Sequence, residues 1–447
     1  MIINEKVKHH LKFLLNVMFF NWHNKLIYYF FLDRYLHLIR LEGNKNHLKR
    51  YIRNSLRQDL LKRSKILGKC RNIWNIYSKN DLATFQVDKI KSENNFYSPF
   101  VYDVSLPGKI PLKKVEINIF EFPLATIVSG SDVVRLKNKM CYWFKSDNYL
   151  NFKNKFFDLD IINYNECEKK LCLIPLESSK FIEGDCLSLI GSKDFSFGHF
   201  LVEYFPKLIF AVERFADRKV TVLATTSLDK DTLEMILFVL PDTWSFTFVD
   251  ISESVLCENL IYIDNCSWIT DHSETMVIGD TQIYEETALA LQRFVKDYKD
   301  LKGIRPEEKN KVYLPRPGLK RTITNGGDVD LLMNELGFVK TECKGLSLEE
   351  KVKTFTNASV IVGPGGSAFS NIIYCDGETD IYCIVNKNRL YDPYLSILSR
   401  VLALKLIFIP STTIEDYADL HSSYTIETSL IRELVVEKTI DCQKLDC

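Results

Sequence analysis

The sequence predicts an α/β fold built from two parallel units in series. Three observations predict it. β-Branched apolar runs alternate with stretches of helical periodicity from about residue 184 to residue 409. One run, Val360-Ile361-Val362, breaks into Gly363-Pro364-Gly365-Gly366 and continues through Ser367 to the apolar Ile372-Ile373-Tyr374: a strand, a glycine turn and a helix start. A charged stretch at 297–310 separates the two alternating series.

The chain has 447 residues, 46% hydrophobic and 26% charged, which is ordinary globular composition and length enough for two or three domains. Its formal net charge of zero conceals an asymmetry. Residues 1–71 hold 16 Lys or Arg against four acids, Glu5, Asp33, Glu42 and Asp59, and five of the eight His lie in the first 47 positions. Residues 1–75 therefore read as a basic helical arm for an anionic partner, attached to an acidic body. The segment 11–32 is rich in Phe, Leu, Tyr and Trp, but Asn16, Asn21, His23, Asn24 and Lys25 interrupt it. It never reaches the roughly 18 apolar residues of a spanning helix, and no signal-peptide pattern is present. The arm is expected to lie on an anionic membrane surface, at the inner cytoplasmic face, or to contact an assembly complex. A helical subdomain packed on the body is the other reading. Nucleic acid is not an expected partner, because no nucleic-acid module accompanies the charge. None of the twelve Cys forms C-x-x-C and several sit in apolar runs, the pattern of reduced, buried thiols in a cytosolic protein.

The next unit, 76–300, opens with a mixed stretch. Short β-like runs at 115–120 and 125–128 stand among turn residues. Strands then follow at 186–190, 220–224, 244–249 and 260–263, and helices at 199–215, 232–240 and 285–298. Leu289, Leu291, Phe294 and Val295 are expected on the inner side of the last helix.

The unit 301–412 begins with a strand at 311–314 that runs into a turn carrying Arg316, Lys320 and Arg321. A helix at 328–336 stops at Gly337, and Ser347-Leu348-Glu349-Glu350 is a capping box opening the next. Strands at 360–362, 381–385 and 406–409 alternate with a helix at 393–401. Residues 413–447 are a closing tail with a helix at 426–436, expected to return to the first unit. Parallel strands place ligands beyond their carboxyl ends, so the arginine turn and the glycine loop should share one edge. Unpaired N–H groups at the start of the helix after Gly366 and Ser367 suit a phosphate.

Residues 311–375 resemble the signature region of glycosyltransferase family 61, which includes bacterial capsular polysaccharide enzymes and eukaryotic xylosyl- and N-acetylglucosaminyltransferases. Arg316, Arg321 and Asn325 fit its arginine motif; Gly366, Ser367 and Asn371 fit its glycine loop. The segment Ser196-Phe197-Gly198-His199-Phe200-Leu201-Val202-Glu203-Tyr204-Phe205-Pro206 resembles its His-x-x-x-Glu/Asp motif. The likeness spans about 180–430. Gly365 stands where the family usually has His, and Gly326 where it usually has Glu.

The resemblance implies a GT-B-like fold, two Rossmann-like units facing a cleft, and an inverting transferase. Its donor would be a nucleotide sugar, expected to be UDP-linked, and its acceptor a growing cell-surface polysaccharide or lipid-linked glycan. Arg316 and Arg321 can grip a diphosphate bidentately, with Asn325, Gly365, Gly366, Ser367 and Asn371 around it, so neither metal nor cofactor is expected. His199 and Glu203 stand at i and i+4, although Pro206 threatens to start a new helix and part them. With the resemblance, Glu203 is the preferred base and His199 its orienting partner; either order is open. The competing reading is a degenerate, transferase-like scaffold of a polysaccharide assembly complex.

Overall fold

The computed structural model describes residues 73–76, 82–91, 96–97, 110–111, 116–137, 139–141, 161–165, 170–173, 178, 180–250, 253–269, 282–316, 322–386, 393–413 and 423–437. The chain divides into two compact units, Met1–Leu56 and Arg57–Cys447, and every described residue lies in the second. The basic arm read at 1–75 thus falls outside the described residues, save its end. There the strand Ile73–Ile76 pairs with Lys139–Cys141 and Lys170–Leu173, so a boundary at 75 cuts through a sheet.

Two large sheets organise the described residues, an eleven-stranded mixed sheet and a six-stranded one, beside two two-stranded pairs. Four strands of the first are parallel, in the spatial order Ser245–Val249, Val220–Thr225, Lys180–Ser188, Ser254–Ile263. Glu116–Val128 then pairs antiparallel along the whole of Ser254–Ile263. The sequence splits this 13-residue strand into two runs because Pro123-Leu124 reads as a turn. Leu124 does adopt a left-handed backbone, φ 48°, and is exposed, yet the flanking residues keep their pairing register.

The second sheet runs Phe338–Lys340, Asn310–Tyr313, Ala358–Pro364, Asp380–Asn386, Lys405–Thr413, all parallel, and ends in the antiparallel Tyr424–Thr425. Numbered along the chain, its parallel strands lie in the order 2-1-3-4-5, a doubly wound arrangement. Asn310–Tyr313 leads to the helix Gly326–Glu335, whose Val329, Leu332 and Met333 bury on one face of the sheet. Ala358–Pro364 leads to the short 3-10 helix Ser367–Tyr374, whose Phe369, Ile372 and Ile373 bury on the other. The crevice between these two strand ends is the topological switch point, where such sheets bind ligands.

The tail does not return to the first unit. Ile426, Ile431, Leu434 and Val435 bury against Val329, Leu332 and Ile407 of the second, and Arg432 pairs with Glu335 at 2.7 Å. Tyr424–Thr425, paired with the edge strand, starts the following helix beside this sheet. Nor does 297–310 behave as a linker from its start. The helix Glu285–Lys302 continues through it, burying Val295 and Tyr298 and turning Leu289 to solvent, and closes at Gly303 with φ 63°.

One hydrophobic core runs through the helices lying between the sheets. Leu187, Phe200, Phe205 and Ile236 from the first half join Leu314, Phe355, Ile361 and Phe369 from the second. Polar contacts reinforce it. Asp231 and Lys351, both buried, pair at 2.6 Å, and Glu234 accepts the Leu348 N–H at 2.7 Å where the capping box of Ser347 and Glu350 opens its helix.

Candidate functional site

The switch-point crevice is built by close approaches that only glycine permits. A Cβ on Gly363 would lie 2.4 Å from the Leu314 carbonyl oxygen, so the two strand ends could not converge with a side chain there. A Cβ on Gly366 would lie 2.0 Å from Arg316 Nη1. Arg316 is half-buried and donates from Nη1 to the Gly365 carbonyl at 2.6 Å, which lays the guanidinium across the glycine loop. Arg316 and the glycine loop therefore share one edge. Gly366 is extended, φ 172°, and serves as the N-cap of Ser367–Tyr374. Ser367 is exposed and one residue too late to cap, so the anion-binding groups here are N–H groups and not its hydroxyl.

The remaining candidates divide. Arg321 lies outside the described residues. Asn325 is committed elsewhere: its Nδ2 donates to the Ile426 carbonyl at 2.9 Å and its Oδ1 accepts the Ile426 N–H at 3.2 Å. With these two bonds it pins the tail onto the second sheet. Asn371 is buried, with Nδ2 donating to Ala368 within its own turn at 2.8 Å. A Cβ at Gly365 would meet Cys383 Sγ at 3.2 Å and Val385 Cγ1 at 3.4 Å, so a side chain at this position would be aimed at the sheet.

His199 and Glu203 meet. The helical run 197–215 contains a π segment, Phe200–Tyr204, immediately before Pro206, and this wider turn absorbs the missing proline N–H without breaking the run. His199 Nδ1 lies 2.9 Å from Glu203 Oε2, and Glu203 Oε1 accepts the Ile269 N–H at 2.7 Å. Glu203 is 2% exposed with both oxygens engaged, whereas the His199 side chain keeps 14% of its surface open. The carboxylate is closed in by its two partners, and part of the imidazole reaches the surface.

This helix start docks on the glycine-loop helix. A Cβ on Gly198 would stand 2.9 Å from Ser370 Oγ, and Tyr394 donates to that same oxygen at 2.8 Å. Phe197 lies under the Lys351 ammonium, 4.6 Å from ring centroid to Nζ. His199 is thereby held beside the carboxyl edge of the second sheet, a placement no sequence spacing predicts. Residues 197–382, which include His199, Glu203, Arg316 and the glycine loop, match the family model for Glycosyltransferase 61. This stretch is similar to glycosyltransferase family 61. No curated protein matches the chain.

Behind the dyad lie polar groups that the motifs do not announce. Tyr204 donates to Asp132 Oδ1 at 3.0 Å and accepts the Lys193 N–H at 3.3 Å; Ser192 donates to Asp132 Oδ2; Lys207 is 4% exposed. The one available signal was a lysine inside an apolar run, eight residues past His199. Among the described residues no group of His, Cys, Asp and Glu side chains is arranged to hold a metal ion, and no helix is long and apolar enough to cross a membrane. A cavity of about 300 Å³ elsewhere, between Val295, Lys296 and Lys299 and the segment at Ile373 and Cys375, includes none of the site residues.

Gly366→Ala separates fold from function. The clash falls on the flexible end of Arg316 and not on backbone, so the melting temperature should stay within a few degrees. Displacing the guanidinium should weaken nucleotide binding on the order of 10–100-fold, the loss of one charge-assisted contact. Calorimetric titration with UDP and GDP beside a thermal melt checks both halves.

Proposed function

We propose that the domain transfers a sugar, with inversion, from a nucleotide-sugar donor to an acceptor hydroxyl on a glycan, using His199 as the general base. The observation that supports this is the Gly198–Ser370 contact, which joins the helix start bearing His199 to the helix that follows the glycine loop. With Nδ1–H donating to the Glu203 carboxylate, Nε2 of neutral His199 is the proton acceptor. The acceptor hydroxyl loses its proton to Nε2 as its oxygen bonds the anomeric carbon. The bond from that carbon to the diphosphate oxygen breaks, and the diphosphate leaves with the electron pair. Arg316 and the first N–H groups of Ser367–Tyr374 meet that charge as it develops. In this reading the two sheets are the two halves of a GT-B-like enzyme, and no metal is required.

The test is a donor screen in excess EDTA, scoring nucleotide binding and release from UDP-, GDP- and CMP-sugars. One donor should bind and turn over at an undiminished rate under chelation, and Arg316→Ala should abolish both. Turnover restored only by added divalent metal would overturn metal independence. Binding without turnover on any glycan acceptor would favour the scaffold. The basic arm is proposed to hold the enzyme on anionic membrane. Co-sedimentation of the full chain with phosphatidylserine vesicles, lost in chain lacking residues 1–56, tests that separately.

A further inference from the structure

His199, Glu203 and Lys207 recur every four residues along one helical run, and Lys207 is buried where a lone ammonium is costly. Its Nζ lies over the Tyr204 and Tyr262 rings, at 5.3 and 5.6 Å from their centroids. It acts electrostatically on Glu203 from the same helix, on Asp132 from the 129–133 turn, and on Asp264 and Cys266 just beyond the strand Ser254–Ile263. The other titratable groups in this pocket are Asp194, Cys141, Tyr204, Tyr262 and Tyr284. Burial pushes all four phenol and thiol groups upward, so they stay neutral, and burial also pushes Asp132 upward against its bonds from Ser192 and Tyr204. Burial pushes Lys207 itself downward, against the opposing pull of Cys266, Asp132, Asp264 and Glu203, and it is the ammonium that faces these carboxylates.

We propose that Lys207 is a positioning charge for the dyad: it compensates Glu203 from inside the protein, so that the carboxylate orients His199 without trapping it as an imidazolium. The electrostatics have a definite sign. With Lys207 charged, a proton on His199 adds a second positive charge on the same helical run, and the two repel whatever the surrounding carboxylates contribute. With the ammonium removed that repulsion is gone, and the Glu203 carboxylate beside Nδ1 favours the protonated ring unopposed by it. Loss of Lys207 therefore makes His199 hold its proton more tightly and leaves less free base at neutral pH. This inference rests on His199 acting as the base, and its primary measurement does not.

The experiment is an NMR titration of ¹⁵N-histidine in the substrate-free full chain, the His199 signal being assigned by its loss in His199→Gln. A unit charge about two helical turns away, roughly 11 Å, changes a midpoint by about one pH unit at an effective dielectric of about 20. Lys207→Met should raise the His199 midpoint by that amount, and Lys207→Arg should leave it in place. The acid limb of the kcat/KM profile should move upward with it. If Lys207→Met does not fold, Lys207→Gln, which keeps a polar end for Asp132, provides the same comparison. A folded neutral variant whose midpoint is unmoved or lower overturns the proposal, and leaves Lys207 serving Asp132 and Asp264 alone. Wild-type activity in His199→Gln would instead sink the base reading and leave the titration result standing.

Discussion

His199→Ala is expected to lower kcat by a factor on the order of 10²–10⁴, the usual contribution of a positioned general base, while donor affinity is unchanged. The imidazole has one described partner, the Glu203 carboxylate 2.9 Å from Nδ1, and the side chain retains surface for the acceptor. Deleting it removes the proton acceptor without touching the Arg316–Gly365 bond that shapes the donor crevice. Added imidazole should restore part of the rate by occupying the vacated space. Steady-state kinetics with and without imidazole, beside donor binding by calorimetry, check it. An unreduced kcat would exclude His199 as base. Glu203→Gln should also slow turnover, because an amide cannot accept Nδ1–H and the Ile269 N–H in the same geometry. That variant should not respond to imidazole.

Asp231→Ala is expected to cost about 3–5 kcal/mol of stability, the penalty of leaving a buried charge without its partner. Lys351 would be stranded at 5% exposure under the Phe197 ring, on the layer that joins the two sheets. The consequence should reach the site, because Phe197 opens the helical run that carries His199. Activity should therefore fall at temperatures where the protein is still folded. Asp231→Leu combined with Lys351→Met removes both charges and should recover most of the stability, since apolar replacement of a whole buried pair is often neutral or favourable. Thermal and chemical denaturation of the single and double variants check the contrast. Equal destabilisation in both would show that packing, not the uncompensated charge, governs this contact.

Much of the fold was legible because local signals agreed with tertiary ones. The Ser347–Glu350 capping box forms as its spacing predicts, with Ser347 N–H donating to Glu350 at 2.8 Å and Glu350 N–H donating to Ser347 at 3.3 Å. The strand at 358–364 ends in glycines because backbone and guanidinium crowd it, and sequence carries that as composition. Ranks of side chains that need a distant partner were less legible. Nothing near Asn325 in the sequence announces its bonds to the Ile426 backbone, because only the docked tail brings that partner to it.

By itself the sequence determined the α/β alternation, the family motifs and the sharing of one sheet edge by Arg316 and the glycine loop, since parallel strands force their carboxyl ends together. Only the tertiary structure decided which member of the dyad faces outward. Exposure depends on what packs from elsewhere, and here the Ile269 backbone closes over Glu203 from 66 residues away. It likewise decided that the tail covers the second sheet and that one core unites the halves, because long-range burial follows from which apolar faces meet and not from the periodicity of either face alone.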